Sequence, residues 1–451
     1  MNTRGQLRNG TWRRDVTPDL PLHGAVAKQP WKHGQLTLLL ARLPRGILSG
    51  TIHNRFTLIG EELLIARSRR LELIPPYLFG EISAIKRKAI AEGRDVIDLG
   101  IGDPDQPTPS SIIDALNSAA HDPSTHRYDE TNAGWEPFLE AAATWMKRRF
   151  DVDIDPLTEA MLLIGSKEGL AHLAWSYIDE GDVTLCPDPA YTVYKVNTLL
   201  AGGEPYAMPL LEENGFLPDL NAIPDDILKR TKILWLNYPN NPTGATATLD
   251  FYRDAVAFAR KHNLLLVNDA AYADVYYDVA PPSVLQVEGA KDVAIELHSL
   301  SKMYNMTGWR IGFAVGCAEA IATLNKLKSN LDSKQFPAVS LAAAHALLHT
   351  DNRPTLELYR RRRDILVKGL NELGWKVSSP EAAIYIWARV PQGHTSASFA
   401  RMLLEKADVN VIPGSGYGEH GEGYVRMSLT VMGDKNGERI QEAVARIAKV
   451  L

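Results

Sequence analysis

From residue 129 onward the chain alternates short apolar runs with longer amphipathic ones. The runs AMLLIG, DVTLCP, KILWLNY, NLLLVND, VAIELHS and RIGFAVG are short, apolar and rich in β-branched residues. That is the mark of strands buried on both faces of a parallel sheet. Stretches such as FYRDAVAFARKHN lie between them and carry apolar positions at helical spacing. Strand, loop and helix in repetition predict an α/β, doubly wound, mostly parallel domain. Upstream, LELIPPYLFGEISAIKRKAIAEG reads as a Pro-bounded turn followed by an amphipathic helix. VIDLGIGDPDQPTPSSIIDAL reads as a strand, a Gly/Pro loop and a helix with a serine cap. Past residue 350, YRRRRDILVKGLNELG, KVSS, IYIWARV, FARMLLEKA and YVRMSL predict a smaller αβ region. The helix near residues 80–93 is expected to pack with it. The expected organisation is therefore an extension over 1–62, an N-terminal arm with part of the small domain over 63–120, a large domain over 121–350, and a C-terminal small domain over 351–451.

Composition changes this picture at the N-terminus alone. Residues 1–60 hold nine arginines and lysines, from Arg4 to Arg55, against Asp15 and Asp19. Their one apolar run, LTLLLARL, is short and broken by Arg42. It makes a weak secretory signal, and a transit peptide would carry more serine. The reading preferred is a disordered extension, or upstream sequence translated from a start placed too early. Elsewhere the 451 residues allow a large core. A net charge of −5 gives no global sign of nucleic-acid or membrane binding. Two cysteines, Cys186 and Cys317, offer neither metal spacing nor a disulfide framework and suit a reducing cytoplasm. No run approaches the roughly 20 apolar residues that span a bilayer.

Ligands of open α/β sheets bind at the carboxyl ends of strands, and informative residues crowd there. Asn241 follows KILWLNYPN. Asp269 ends NLLLVND, with Tyr272 three residues on. Ser299 and Lys302 follow VAIELH, Ser166 and Lys167 follow LLIG, and Tyr191 lies in PDPAY. A lysine placed there is costly to bury unless paired or neutral, and a neutral one is a nucleophile toward carbonyls. Pyridoxal 5'-phosphate needs such a lysine and an acid for its ring nitrogen. Its phosphate suits the helix N-terminus at Ser166, the Ser299 hydroxyl and the Arg310 fork. Tyr191 could stack on the ring, while Tyr272 and Asn241 could bond its 3-oxygen. Taken singly each has a plainer explanation: NPTG as a turn, GWRIGFAVG as close packing, Asp269 as a helix cap, Tyr191 as core. The joint order of these residues on successive strand ends argues against chance.

NPTG, then DAAY, then SLSK followed by GWRIG resembles the fold type I, PLP-dependent, class I/II aminotransferases over residues 67–451. The stretches PPYLFGEI, DLGIGDPDQPTP, IGSKEGLAHL, AGGEPYAMPLLEENGFLPDL, NYPNNPTG, NDAAYAD, HSLSKMYNMTGWRIGFAVG and GYGEHGEGYVRMSLT resemble the LL-diaminopimelate aminotransferases within that class. The resemblance implies that Lys302 is the Schiff-base lysine, that Asp269 pairs with the pyridine nitrogen, and that Tyr272 acts beside them. It places Ser166, Lys167, Ser299, Ser301 and Arg310 around the phosphate and Tyr191 on the ring. Tyr128 would reach the phosphate of a neighbouring subunit, implying a homodimer with shared sites. Arg426 would clamp the substrate α-carboxylate, helped by the Gly102 backbone, with Tyr77, Lys167 and Asn241 also facing the substrate.

The sequence departs from the family where the distal end of the substrate lies. The loop after Tyr128, DETNAG, is one residue longer than usual, and Leu139 stands where an arginine is common. Glu130 is the candidate for a distal ammonium, and Ser333 for a polar contact across the dimer. The activity implied is transfer of an amino group from LL-2,6-diaminopimelate to 2-oxoglutarate, in lysine biosynthesis. Three alternatives are an aminotransferase for aspartate, alanine or aromatic amino acids, a carbon–sulfur lyase, and a transcription regulator built on this fold. Residues 1–60 lack the helix-turn-helix periodicity that the last requires.

Overall fold

The computed structural model describes residues 56–59, 62–65, 67–74, 80–129 and 133–451. They fall into two units, divided after Ala66. In the first, Phe56–Ile59 pairs antiparallel with Glu62–Ile65, Phe56 opposite Ile65 and Leu58 opposite Leu63. This hairpin overlaps the end of the stretch read as an extension.

The second unit is built on a seven-stranded sheet. Its strands are β1 (Ala160–Leu163), β2 (Val183–Asp188), β3 (Glu204–Pro209), β4 (Thr231–Leu236), β5 (Leu265–Asp269), β6 (Ala294–Ser299) and β7 (Gly312–Gly316). The order across the sheet is β1-β7-β6-β5-β4-β2-β3. Only β7 runs against its neighbours. Six strands coincide with the six apolar runs. The seventh, β3, has no such run: it lies at the sheet edge, begins and ends beside Pro205 and Pro209, and is only partly buried. Edge strands tolerate proline and keep one face wet.

Helices cover the sheet. The helix Leu249–His262 begins where the Thr248 side chain accepts from the Phe251 amide at 3.2 Å, and ends at Asn263 in the left-handed region. The helix Ser110–Ala120 does not carry the expected serine cap. Pro109 occupies that position, and Ser110 is already helical.

Two large clusters of buried apolar side chains result, with a small third one of Trp387, Ile412, Tyr417 and Tyr424. The larger holds Trp235, Leu236, Val267 and Phe313 around the sheet, and Ile112 belongs to it. The smaller holds Ile82, Leu99, Tyr385, Val425 and Leu366. Its strands are Tyr385–Arg389, Tyr424–Ser428 and Ile412–Pro413. The Gly80–Ala91 helix joins this core through Ile82 and Ile85. The strand Ile97–Asp98 joins it by parallel pairing with Val409–Asn410. Lys376–Ser379 forms no strand. No described helix is long and apolar enough to cross a membrane.

Candidate active site

The carboxyl ends of β1, β2, β4, β5 and β6 open onto one cavity of about 1090 Å³. Gly102, Ser166, Lys167, Tyr191, Asn241, Asp269, Tyr272, Ser299, Ser301, Lys302, Arg310 and Arg426 all line it. Twelve residues singled out in the sequence thus meet in one place. Tyr128 does not: it stands 78% exposed, outside the cavity lining. Ser333 is also exposed and outside it. Tyr77 and Glu130 lie outside the described residues.

Lys302 sits on the single helical turn Leu300–Met303 that follows β6. Ser299 starts this turn, its hydroxyl accepting from the Ser301 amide at 3.2 Å. The Lys302 ammonium donates to the Gly102 carbonyl at 2.6 Å. Burial pulls its pKa down to about 8, against the opposing pull of Asp103, with Arg426 and Arg310 lowering it further. An appreciable fraction is therefore the neutral amine near neutral pH.

Asp269 ends β5 and is buried. Its carboxylate accepts from the Tyr194 hydroxyl at 2.8 Å and from the Ala271 amide at 3.3 Å. Burial nonetheless pushes its pKa up to about 6. A carboxylate held at such a position is costly when alone and favourable beside a cation. Asn237 fixes the neighbouring turn: its Nδ2 donates to the Asp269 carbonyl at 2.7 Å, and its Oδ1 accepts from the Asn241 amide at 2.9 Å.

Groups suited to an anion line the same cavity. Ser166 opens the helix Ser166–Tyr177 behind Gly165, which has φ +77°. A side chain at 165 would collide with the Arg310 guanidinium. Glycine there lets a fixed positive charge lie against a helix N-terminus, where backbone N–H groups already favour anions. Lys167 lies over the Tyr191 ring, 5.4 Å from its centroid.

Arg426 comes from the smaller core. Its Nη1 donates to Asn241 Oδ1 at 2.9 Å and its Nη2 to the Gly100 carbonyl at 2.7 Å. Its guanidinium lies over two rings, 4.1 Å from the centroid of Tyr385 and 5.0 Å from that of Tyr417.

These groups fit pyridoxal 5'-phosphate. They supply an amine of lowered pKa, a buried acid that gains from a cationic partner, and a cradle for a dianion. Tyr194, Asn237 and Tyr385 were not singled out in the sequence. The spacing of Tyr194 from Tyr191 gave no signal, since an aromatic in a short apolar helix reads as core. Glu168, His172 and Asp332 lie within ligand distance of one another. Lys328 supplies positive charge there, at 3.1 Å from Glu168 and 2.8 Å from Asp332.

The family model for class I and II aminotransferases matches residues 94–447. This chain belongs to that family. It is a PLP-dependent aminotransferase. It is 51% identical over 387 residues to a protein of Moorella thermoacetica named LL-diaminopimelate aminotransferase, covering 85% of this chain and 98% of that one. A protein of the same name from Dehalococcoides mccartyi is 52% identical over 384 residues, covering 84% and 98%. Among solved structures, substrate-bound BacF from Bacillus subtilis superposes with a TM-score of 0.81 at 38% identity, covering 86% of this chain and 98% of that one. This aminotransferase thus shares its fold with a protein of known structure.

Proposed function

We propose that this enzyme transfers an amino group from LL-2,6-diaminopimelate to 2-oxoglutarate. The products are glutamate and a keto acid that cyclises to tetrahydrodipicolinate, a step of lysine biosynthesis. The observation that carries the substrate is the set of relatives of that name at about half identity, spanning 84–86% of this chain.

Pyridoxal 5'-phosphate, when bound, acidifies the α-carbon of an attached amino acid by drawing electrons into its protonated ring. Asp269 holds the proton on the ring nitrogen, since a buried carboxylate favours a cation over an empty neighbourhood. Lys302 Nζ anchors the cofactor, and later takes up the α-proton and gives it back, a role its pKa near 8 suits. Arg426 binds the substrate α-carboxylate as a fork, with the Gly102 backbone and Lys167 beside it. Ser166, Ser299, Ser301 and Arg310 anchor the phosphate. Tyr191 covers the ring, and Tyr272 and Asn241 donate to its 3-oxygen. Arg426 donates to Asn241 Oδ1, which leaves the Asn241 N–H₂ as the donor end of that amide.

We further propose a cytoplasmic homodimer with shared sites. The exposure of Tyr128 and Ser333, away from the cavity of their own chain, suits residues that complete a neighbour's site. Cys186 and Cys317 are free and buried, as in a reducing compartment. Glu130 and Tyr77 are assigned to the distal end of the substrate.

The deciding experiment offers a panel of amino donors with 2-oxoglutarate and reads glutamate. A polar distal pocket discriminates against analogues lacking its partner groups by roughly 10⁴, so diaminopimelate is expected to surpass aspartate, alanine and lysine. A higher kcat/KM for aspartate or an aromatic amino acid would leave transamination standing and remove diaminopimelate.

A further inference from the structure

Tyr385 lies where three parts of the site meet. It opens the strand Tyr385–Arg389 and is 2% exposed. Its hydroxyl is 2.7 Å from that of Tyr272, with the rings edge-on at 70°. Its face carries the Arg426 guanidinium at 4.1 Å. Its hydroxyl also rests against Gly102, where any side chain would collide with it. The Gly102 carbonyl in turn accepts from Lys302.

The paired hydroxyls impose a choice of direction. Each phenol has one proton, and only one of the two can donate across the 2.7 Å contact. If Tyr272 donated to Tyr385, it would have no proton left for the cavity. If Tyr385 donates, the Tyr272 proton is turned toward the cavity, and the chain of two bonds strengthens it as a donor. The ring of Tyr385 has a separate effect. A guanidinium held over an aromatic face is attracted to it, which restrains where its fork lies.

We propose that Tyr385 is a positioning residue with two separable actions: its hydroxyl donates to Tyr272 and aims the Tyr272 proton at the bound cofactor, and its ring fixes Arg426 for carboxylate binding. This rests on the aminotransferase reading of the site but not on the identity of the amino donor.

The test compares Tyr385→Phe, Tyr385→Leu, Tyr272→Phe and the double variant Tyr272→Phe/Tyr385→Phe, all in the holoenzyme. The first readout is the pH midpoint of the visible absorbance of bound cofactor. A hydrogen bond donated to the cofactor's phenolic oxygen stabilises its anionic form, so weakening that bond raises the midpoint. Tyr385→Phe is expected to raise it, and to lower kcat about three- to tenfold with KM changed less than about twofold. In the double variant the midpoint should match that of Tyr272→Phe alone, because the hydroxyl of Tyr385 acts only through Tyr272. Tyr385→Leu should in addition raise KM for both the amino donor and 2-oxoglutarate about tenfold. An unmoved midpoint in Tyr385→Phe, or additive shifts in the double variant, overturns the first action. An unchanged KM in Tyr385→Leu overturns the second. Should the leucine variant not fold, Tyr385→Met supplies the ringless comparison. The spectral readout needs no substrate, so its failure is distinct from failure of diaminopimelate as donor. KM is measured with whichever donor the wild-type enzyme uses.

Discussion

The hydroxyl of Tyr194 donates to the carboxylate of Asp269 at 2.8 Å, from a ring stacked on Trp235 with 5.7 Å between centroids. The bond counters the burial that raises the pKa of Asp269 to about 6. Removing it leaves a buried carboxylate with one fewer donor and a pKa higher still. Asp269 then competes for the proton it should leave on the cofactor ring. Tyr194→Phe keeps the stacked ring, so the fold should hold. We predict that kcat falls about 10- to 100-fold, the range for a lost hydrogen bond to a charged group. Steady-state kinetics of the variant provide the check, and an unaltered kcat would refute the role.

Lys302 yields a pH prediction. Its folded pKa is depressed to about 8 by burial. Below that pH the side chain is mainly the ammonium, which cannot attack a carbonyl; above it the amine is free. Covalent attachment of added cofactor to cofactor-free enzyme should therefore accelerate as pH rises through about 8. An unperturbed lysine would show the rise near pH 10.4 instead. Borohydride trapping followed by mass measurement reads the attachment directly. Lys302→Ala should show none and should lose nearly all turnover.

The strands and the inner ring of the site were legible because their signals are local. A strand buried on both faces is an apolar run, and a ligand-binding group at its end is a polar residue where the run stops. Asp269 is a polar residue at the end of its strand, and Lys302 follows three positions past the end of the next one. The edge strand Glu204–Pro209 escaped because half-exposed edges need no apolar run. The supporting groups escaped for a different reason. Tyr194 and Tyr385 lie inside apolar stretches and look like core until the fold brings them against Asp269 and Tyr272. The pairing of Ile97 with Val409, which places the N-terminal segment in the smaller core, joins distant parts of the chain. No local pattern encodes it.

Arg362 is the sharpest case. It stands in YRRRRD, where four adjacent arginines suggest a solvated helix face, yet it is fully buried. Its guanidinium grips both oxygens of Asp105, at 2.7 and 2.8 Å, and Asp434 at 2.6 Å. It thereby ties the loop after Gly102 to the smaller core. Removing one member of a buried ionic cluster leaves the others uncompensated, at about 3–5 kcal/mol. Arg362→Ala is predicted to lose stability of that order in chemical denaturation, or to fail to accumulate. A neighbouring exposed change, Lys368→Ala, should shift the midpoint little.

The first 62 residues are predicted to be dispensable. A relative of 51% identity aligns 387 residues with this chain, and these are 98% of its own length. The larger structural unit likewise begins at Arg67. A chain beginning at residue 63 should bind cofactor and turn over as the full chain does, and should form the proposed dimer. Loss of cofactor or of the dimer on truncation would make the extension structural.

Arg426 offers the most direct test of how the carboxylate is held. Both substrates of a transamination carry an α-carboxylate next to the reacting carbon, and one arginine must serve both half-reactions. Arg426 already spends Nη1 on Asn241 and Nη2 on the Gly100 carbonyl, which fix the plane of its fork. Lysine keeps the charge but not the fork, and its ammonium sits flat on neither Tyr385 nor Tyr417. Losing one charge-assisted bond of a bidentate pair is worth about 1.5–3 kcal/mol. Arg426→Lys should therefore lower kcat/KM about 10- to 100-fold for the amino donor and by a similar factor for 2-oxoglutarate. The visible band of the bound cofactor should stay near wild type, because the role proposed for Arg426 is to hold the substrate and not the ring. Single-turnover measurements of each half-reaction separate the two effects. A loss confined to one half-reaction would mean that a second group holds the other carboxylate.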